Sequence, residues 1–113
     1  AACPELPVWS GNDEQIVPVM SLGGSGVISV LSNVLPVQTQ AMALAALDGD
    51  FDTAAALQTE LLPLIDLLFC EVNPIPVKAA LQILGYDCGE CRLPLTPMGE
   101  KNREKLKKLL SGL

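Results

Sequence analysis

Apolar residues recur every three or four positions along most of this chain, and the period breaks only near its start. The set Ala54, Leu57, Leu61, Leu64, Leu68 and Phe69 keeps helical spacing and predicts a long helix over residues 51–70 with Asp50 as its N-cap. Pro63 falls inside it and is expected to kink or split it, because proline removes a donor and crowds the preceding turn. Pro36 stands where a first helical residue would, opening a helix over 36–47 that Asp48-Gly49-Asp50 ends. Pro74-Ile75-Pro76 is a stiff start to a helix over 74–84, with Gly85 placed for a left-handed cap. Residues 86–97 are an irregular connection, and Thr96-Pro97 opens a last helix to Leu110, amphipathic through Leu106, Leu109 and Leu110. Two short segments lack this period. Pro7-Val8-Trp9-Ser10 stops at Gly11 and reads as a strand, and 26–31 is a β-branched run too short for a helix, hence a buried strand. Between them, Asn12 or Asp13 can cap a helix over 14–22 that Gly23-Gly24 stops, and Ser32-Asn33 is a turn.

The element order is therefore β-α-β-α-α-α-α. Two strand–helix units fit an α/β barrel or an open α/β sheet, and the helices after them are an addition that makes the chain mostly α. Two parallel strands alone leave unpaired edges and an uncovered face. The strand region is thus expected to need strands from elsewhere, or else to be rearranged or exchanged between copies. Ala1-Ala2-Cys3-Pro4 reads like the end of a preceding helix.

Composition narrows the function. Half of the 113 residues are hydrophobic, but only Trp9, Phe51, Phe69 and Tyr86 are aromatic, so the core is aliphatic. No apolar run reaches the ~20 residues of a membrane span, and the start lacks a basic stretch followed by an apolar one, so neither a membrane span nor a secretion signal is expected. The net charge is −6, divided into −9 over residues 1–97 and +3 over 98–113. An acidic body does not suit nucleic acid, whose binding rests on neutralising phosphates. The basic end is one solvated helix face.

Little side-chain chemistry is present. Histidine is absent, which removes Ser/His and Cys/His arrangements. Cys88-Gly89-Glu90-Cys91 has the spacing of a zinc or redox pair, but zinc needs two further ligands and Cys3 and Cys70 are distant in sequence, so Cys88 and Cys91 are weak metal candidates beside an ordinary reduced pair. Gly23-Gly24-Ser25-Gly26 precedes a strand, the reverse of a phosphate cradle, and reads as a helix stop and tight turn. Lys78 lies on a helix, away from strand ends, and reads as a surface or subunit-contact lysine.

Asn73-Pro74-Ile75-Pro76-Val77-Lys78, Ser10-Gly11-Asn12-Asp13, Gly23-Gly24-Ser25-Gly26-Val27-Ile28-Ser29-Val30 and Arg92-Leu93-Pro94-Leu95 together resemble the C-terminal portion of the dihydrodipicolinate synthase family, the pyruvate-dependent class I aldolases, with N-acetylneuraminate lyase as a sister activity. The resemblance implies the last two β/α units of a (β/α)8 TIM barrel over residues 1–49, and a C-terminal helical bundle over 50–113. It implies an enzyme that condenses pyruvate with aspartate semialdehyde through a lysine Schiff base, toward diaminopimelate and lysine, as a cytoplasmic homotetramer without a cofactor. The family's imine lysine and catalytic tyrosine match nothing in these 113 residues, so the chain alone is expected to be inactive and to need an N-terminal portion. What it retains is pocket backbone. Gly11 lies at one strand end, Ile28 matches the residue whose main-chain carbonyl faces the lysine, and Val30 lines the same pocket. Read without the family, Gly11 is a turn glycine and Ile28 and Val30 are core. Asn12 stands where the family more often has an acid. A different class also remains open, a non-catalytic helical oligomerisation or scaffold module.

Overall fold

The computed structural model describes residues 3–113; of the stretch read as the end of a preceding helix, Ala1 and Ala2 lie outside the described residues, and Cys3-Pro4 are not helical. The chain divides into two compact units between Leu62 and Pro63.

In the first unit, strand β1 (Trp9–Ser10) leads through a 3-10 turn (Asp13–Gln15) into helix α1 (Ile16–Ser21). Strand β2 (Gly26–Val27), a second 3-10 turn (Leu31–Asn33), α2 (Pro36–Leu47) and most of α3 (Phe51–Leu68) follow. The strands run parallel, with Trp9 beside Gly26 and Ser10 beside Val27. Ile16, Met20, Leu31, Met42 and Ala54 are buried between these elements, where α1 packs on α2.

Both strands are shorter than the sequence suggests. The run 26–31 leaves the extended form after Val27 because the amides of Val30 and Leu31 turn inward onto the carboxylate of Asp13. The expected helix over 14–22 begins as a 3-10 turn, and neither Asn12 nor Asp13 caps it with a side chain. Pro36 does open α2 at the expected residue.

Helix ends follow backbone chemistry. At Gly49 (φ 79°) and Gly85 (φ 93°) the chain reverses in the left-handed region. Asp50 N then reaches Ala45 O and Tyr86 N reaches Leu81 O, both at 2.9 Å. Each bond satisfies a carbonyl left over at the helix end. Asp50 caps α3 as expected, its Oδ1 accepting from Thr53 N at 3.1 Å. The Thr53 side chain and then its amide hold the Asp50 carboxyl below the ordinary carboxylate range. Pro63 does not split α3, which continues to Leu68; a proline inside a helix removes one i→i−4 bond, and the neighbouring turns keep theirs.

The second unit combines the end of α3 with α4 (Ile75–Ile83) and α5 (Glu100–Leu110). Leu64, Ile65, Leu68, Ala80 and Leu106 form its fully buried centre. The α5 helix starts later than Thr96-Pro97 because its first turn is fixed from a distance. The Glu71 carboxylate accepts from Gly99 N at 3.2 Å and from Asn102 Nδ2 at 3.0 Å. A negative group at a helix N-terminus satisfies free amides and opposes the helix dipole. Among the described residues no helix is long and apolar enough to cross a membrane.

Replacing Leu106 with alanine deletes a side chain with no solvent contact and should cost roughly 2–5 kcal/mol, read as a lower urea midpoint. The Asp50 cap should titrate. Its folded pKa is depressed, so its contribution is present above the unfolded carboxylate pKa and is lost as pH falls through the folded value. Asp50→Ala should therefore melt below the parent at neutral pH, and the gap should close in acid.

Candidate functional site at the strand ends

Because β1 and β2 are parallel, their C-terminal ends lie on one side, and the residues that follow them come together there. Ile28 N donates to Ser10 O at 2.8 Å, extending the ladder one step past β2. Ser10 is buried; its Oγ donates to Asn12 O at 2.8 Å and accepts from Asn12 N at 3.2 Å. These bonds tighten the turn around Gly11. A Cβ at Gly11 would meet nothing within 4 Å, so this glycine leaves the strand end open. Ile28 is 70% exposed, and Val30 is half-buried with its amide on Asp13. Gly11, Ile28 and Val30 thus share one end of the sheet.

Asp13 organises this end. It is fully buried, and its Oδ2 accepts from Val30 N at 3.0 Å and Leu31 N at 2.9 Å. Oδ1 has no partner among the described residues. The main-chain oxygen of Asp13 accepts from Gln58 Nε2 at 2.9 Å, while Gln58 Oε1 accepts from Val17 N at 3.1 Å. The sequence offered Asp13 only as a cap for the helix that follows it, and it caps the turn after β2 instead. Gln58 carried no local signal, because its partners lie more than 40 residues away.

Trp9 closes the opposite end of the ladder. A Cβ on Gly26 would stand 2.6 Å from the Trp9 ring, so only glycine admits the indole there. A hollow of about 320 Å³ beside the ring is lined by Trp9, Ser29, Thr39 and neighbours, and Gly11 and Ile28 do not border it.

The remaining candidates lie in the second unit. Lys78 Nζ donates to Glu90 O at 2.8 Å, and Gln82 Nε2 to Gly89 O at 3.3 Å, so α4 clasps the loop that carries the two cysteines. Cys88 and Cys91 are free thiols; Cys88 Sγ lies 3.5 Å from Lys78 O, and Cys91 borders a groove of about 610 Å³ with Lys78, Glu100 and Arg103. Among the described residues no three metal-ligating side chains come together. Cys3 and Cys70 are exposed, and burial followed by the Glu71 charge pushes the Cys70 thiol up.

Parallel strands joined by helices, with an open glycine at one of their C-terminal ends, give the first unit an α/β architecture. The chain matches the Dihydrodipicolinate synthetase family over residues 1–113, and it belongs to that family. It is 56% identical over 108 residues to the 4-hydroxy-tetrahydrodipicolinate synthase of Caldicellulosiruptor bescii, covering 96% of this chain and 37% of the relative. The dihydrodipicolinate synthase from Aquifex aeolicus superposes with a TM-score of 0.91 at 45% identity, over 95% of this chain and 36% of that one. The chloride-inhibited dihydrodipicolinate synthase from Acinetobacter baumannii, complexed with pyruvate, gives 0.87 at 41%, over 94% of this chain and 36% of that one. The chain thus spans little more than a third of the length of the relatives it matches.

Gly26→Ala should push the indole of Trp9 aside. Overpacking of this kind costs roughly 1–3 kcal/mol. Trp9 is the only tryptophan, so the displacement should appear as shifted emission together with a lower denaturation midpoint.

Proposed function

We propose that these residues are the C-terminal part of a dihydrodipicolinate synthase, a lyase that condenses pyruvate with aspartate semialdehyde through a lysine imine on the route to diaminopimelate and lysine. In this reading residues 1–49 are the last two β/α units of a (β/α)8 barrel, and 50–113 are the helical bundle that follows it. An N-terminal portion supplies the imine lysine and the catalytic tyrosine. The working protein is a cytoplasmic homo-oligomer.

The observation that carries this reading is the state of the strand ends. The Ile28 carbonyl accepts no hydrogen bond among the described residues, and it lies beside a glycine that keeps the approach open. A main-chain carbonyl has a fixed partial negative charge, and no reorganisation is needed for it to favour a developing positive charge on a lysine nitrogen. Gly11 leaves room for a small carboxylate at the end of β1, and Val30 supplies an apolar wall that keeps water from the imine. The exposed Leu6, Val8, Trp9 and Ile28 around a two-stranded sheet fit surfaces that further strands cover. Lys78 takes no part, since its ammonium is engaged by the Glu90 carbonyl on another element.

The test is an imine trap. A polypeptide of residues 1–113 alone, incubated with pyruvate and borohydride, should gain no mass. The same residues joined to the N-terminal portion of the Caldicellulosiruptor bescii relative should gain one reduced pyruvate on a lysine outside this segment. A stable adduct on any lysine of residues 1–113 would overturn the reading, as would an unlabelled fusion that is nevertheless folded.

A further inference from the structure

We propose that Asp13 and Gln58 are positioning residues that together aim the Ile28–Ser29 peptide at the reacting centre; this rests on the aldolase reading above. A peptide unit is planar, so its direction is set when the chain is held on both sides of it. On one side Ile28 N is fixed to Ser10 O at 2.8 Å. On the other, Val30 N and Leu31 N are fixed to Asp13 Oδ2 at 3.0 and 2.9 Å. Only the Ile28–Ser29 and Ser29–Val30 peptides lie between these anchors. Ser32 adds local bonds, its amide to Ser29 Oγ at 2.9 Å and its hydroxyl to Ser29 O at 3.1 Å. These move with the turn that Asp13 holds, so the direction of the Ile28 carbonyl depends on where the Asp13 carboxylate sits. No hydrogen bond among the described residues restrains that carbonyl directly.

Asp13 is in turn placed by α3. Gln58 Nε2 holds the Asp13 main-chain oxygen at 2.9 Å, and the other end of the same amide holds Val17 N at 3.1 Å. Both residues are buried. Gln58 sets the start of α1 and the main chain of Asp13 together, and so ties the position of α3 to the loop that the Asp13 carboxylate holds. Both amide bonds to the carboxylate converge on Oδ2, while Oδ1 has no partner. An asparagine can therefore keep both bonds through its carbonyl and place its Nδ2 where Oδ1 stands. Asparagine is the conservative change at 13; alanine at 13 and leucine at 58 delete the restraint.

The experiment uses the complete fusion of this segment with the N-terminal portion of the Caldicellulosiruptor bescii relative. Misplacement of a reacting group by about 1 Å can cost ~100-fold, so Asp13→Ala and Gln58→Leu should lower kcat by about 10- to 100-fold. The KM for pyruvate should change far less, and Val30 and Leu31 amides should exchange faster. Asp13→Asn should recover most of the rate. Leu106→Ala, a destabilising change in the second unit, should lower the denaturation midpoint and leave kcat near the parent value. Should Asp13→Ala not fold, Gln58→Leu and Asp13→Asn decide the matter with the same readouts. A parent-like kcat in Gln58→Leu overturns the proposal. So does a loss that follows the midpoint across all variants, Leu106→Ala included. If the parent fusion traps pyruvate and the variants behave like it, this inference fails alone. If the parent fusion traps none, the aldolase reading fails and this inference falls with it.

Discussion

The first unit depends on one buried carboxylate. Asp13 has no solvent contact, and an isolated charge there would be strongly disfavoured. Two backbone amides converge on its Oδ2, and hydrogen bonds to a charged group contribute about 1.5–3 kcal/mol each. The result is local and far-reaching at once. The carboxylate ends β2, starts the 3-10 turn at Leu31, and ties the residues after one strand to the residues after the other. Gln58 then fastens the main chain of Asp13 to α3. A polar network buried in an aliphatic core is either satisfied or costly, and this one is satisfied at all but Oδ1.

Side-chain caps act on both units by the same physics. Asp50 accepts from the first turn of α3 three residues away, which is a local device. Glu71 does the equivalent for α5 across 28 residues, and Asp13 does it for a turn 18 residues away. In each case a carboxylate meets amides that have no partner within their own helix or turn. The acidic side chains that dominate residues 1–97 are thus partly structural.

The strand region is built differently from the helices. The helices bury one face, and α3 and α5 meet carboxylates at their first turns. The strands pair with each other, yet Leu6, Val8, Trp9 and Ile28 remain open to solvent. Parallel strands are ordinarily covered on both faces, so the exposed apolar rim and the unrestrained Ile28 carbonyl mark the part of this segment that its own residues leave uncovered.

Helix periodicity, the prolines at helix starts and the glycines at helix ends were all legible along the chain, because each acts within a turn or two of itself. Pro36, Asp50 and Gly85 do what their local chemistry dictates. The strings around Gly11, Ile28 and Pro74 also carried the family. Other outcomes needed the folded chain. β2 stops at Val27, α5 waits until Glu100, and Pro63 passes within an unbroken α3. Asp13 turned away from its own helix, and Gln58 became part of the strand-end site. The reason is distance along the chain. A carboxylate or amide chooses among all the free donors brought near it in space, and residues 17, 28 or 45 positions away enter that choice only once the core has closed.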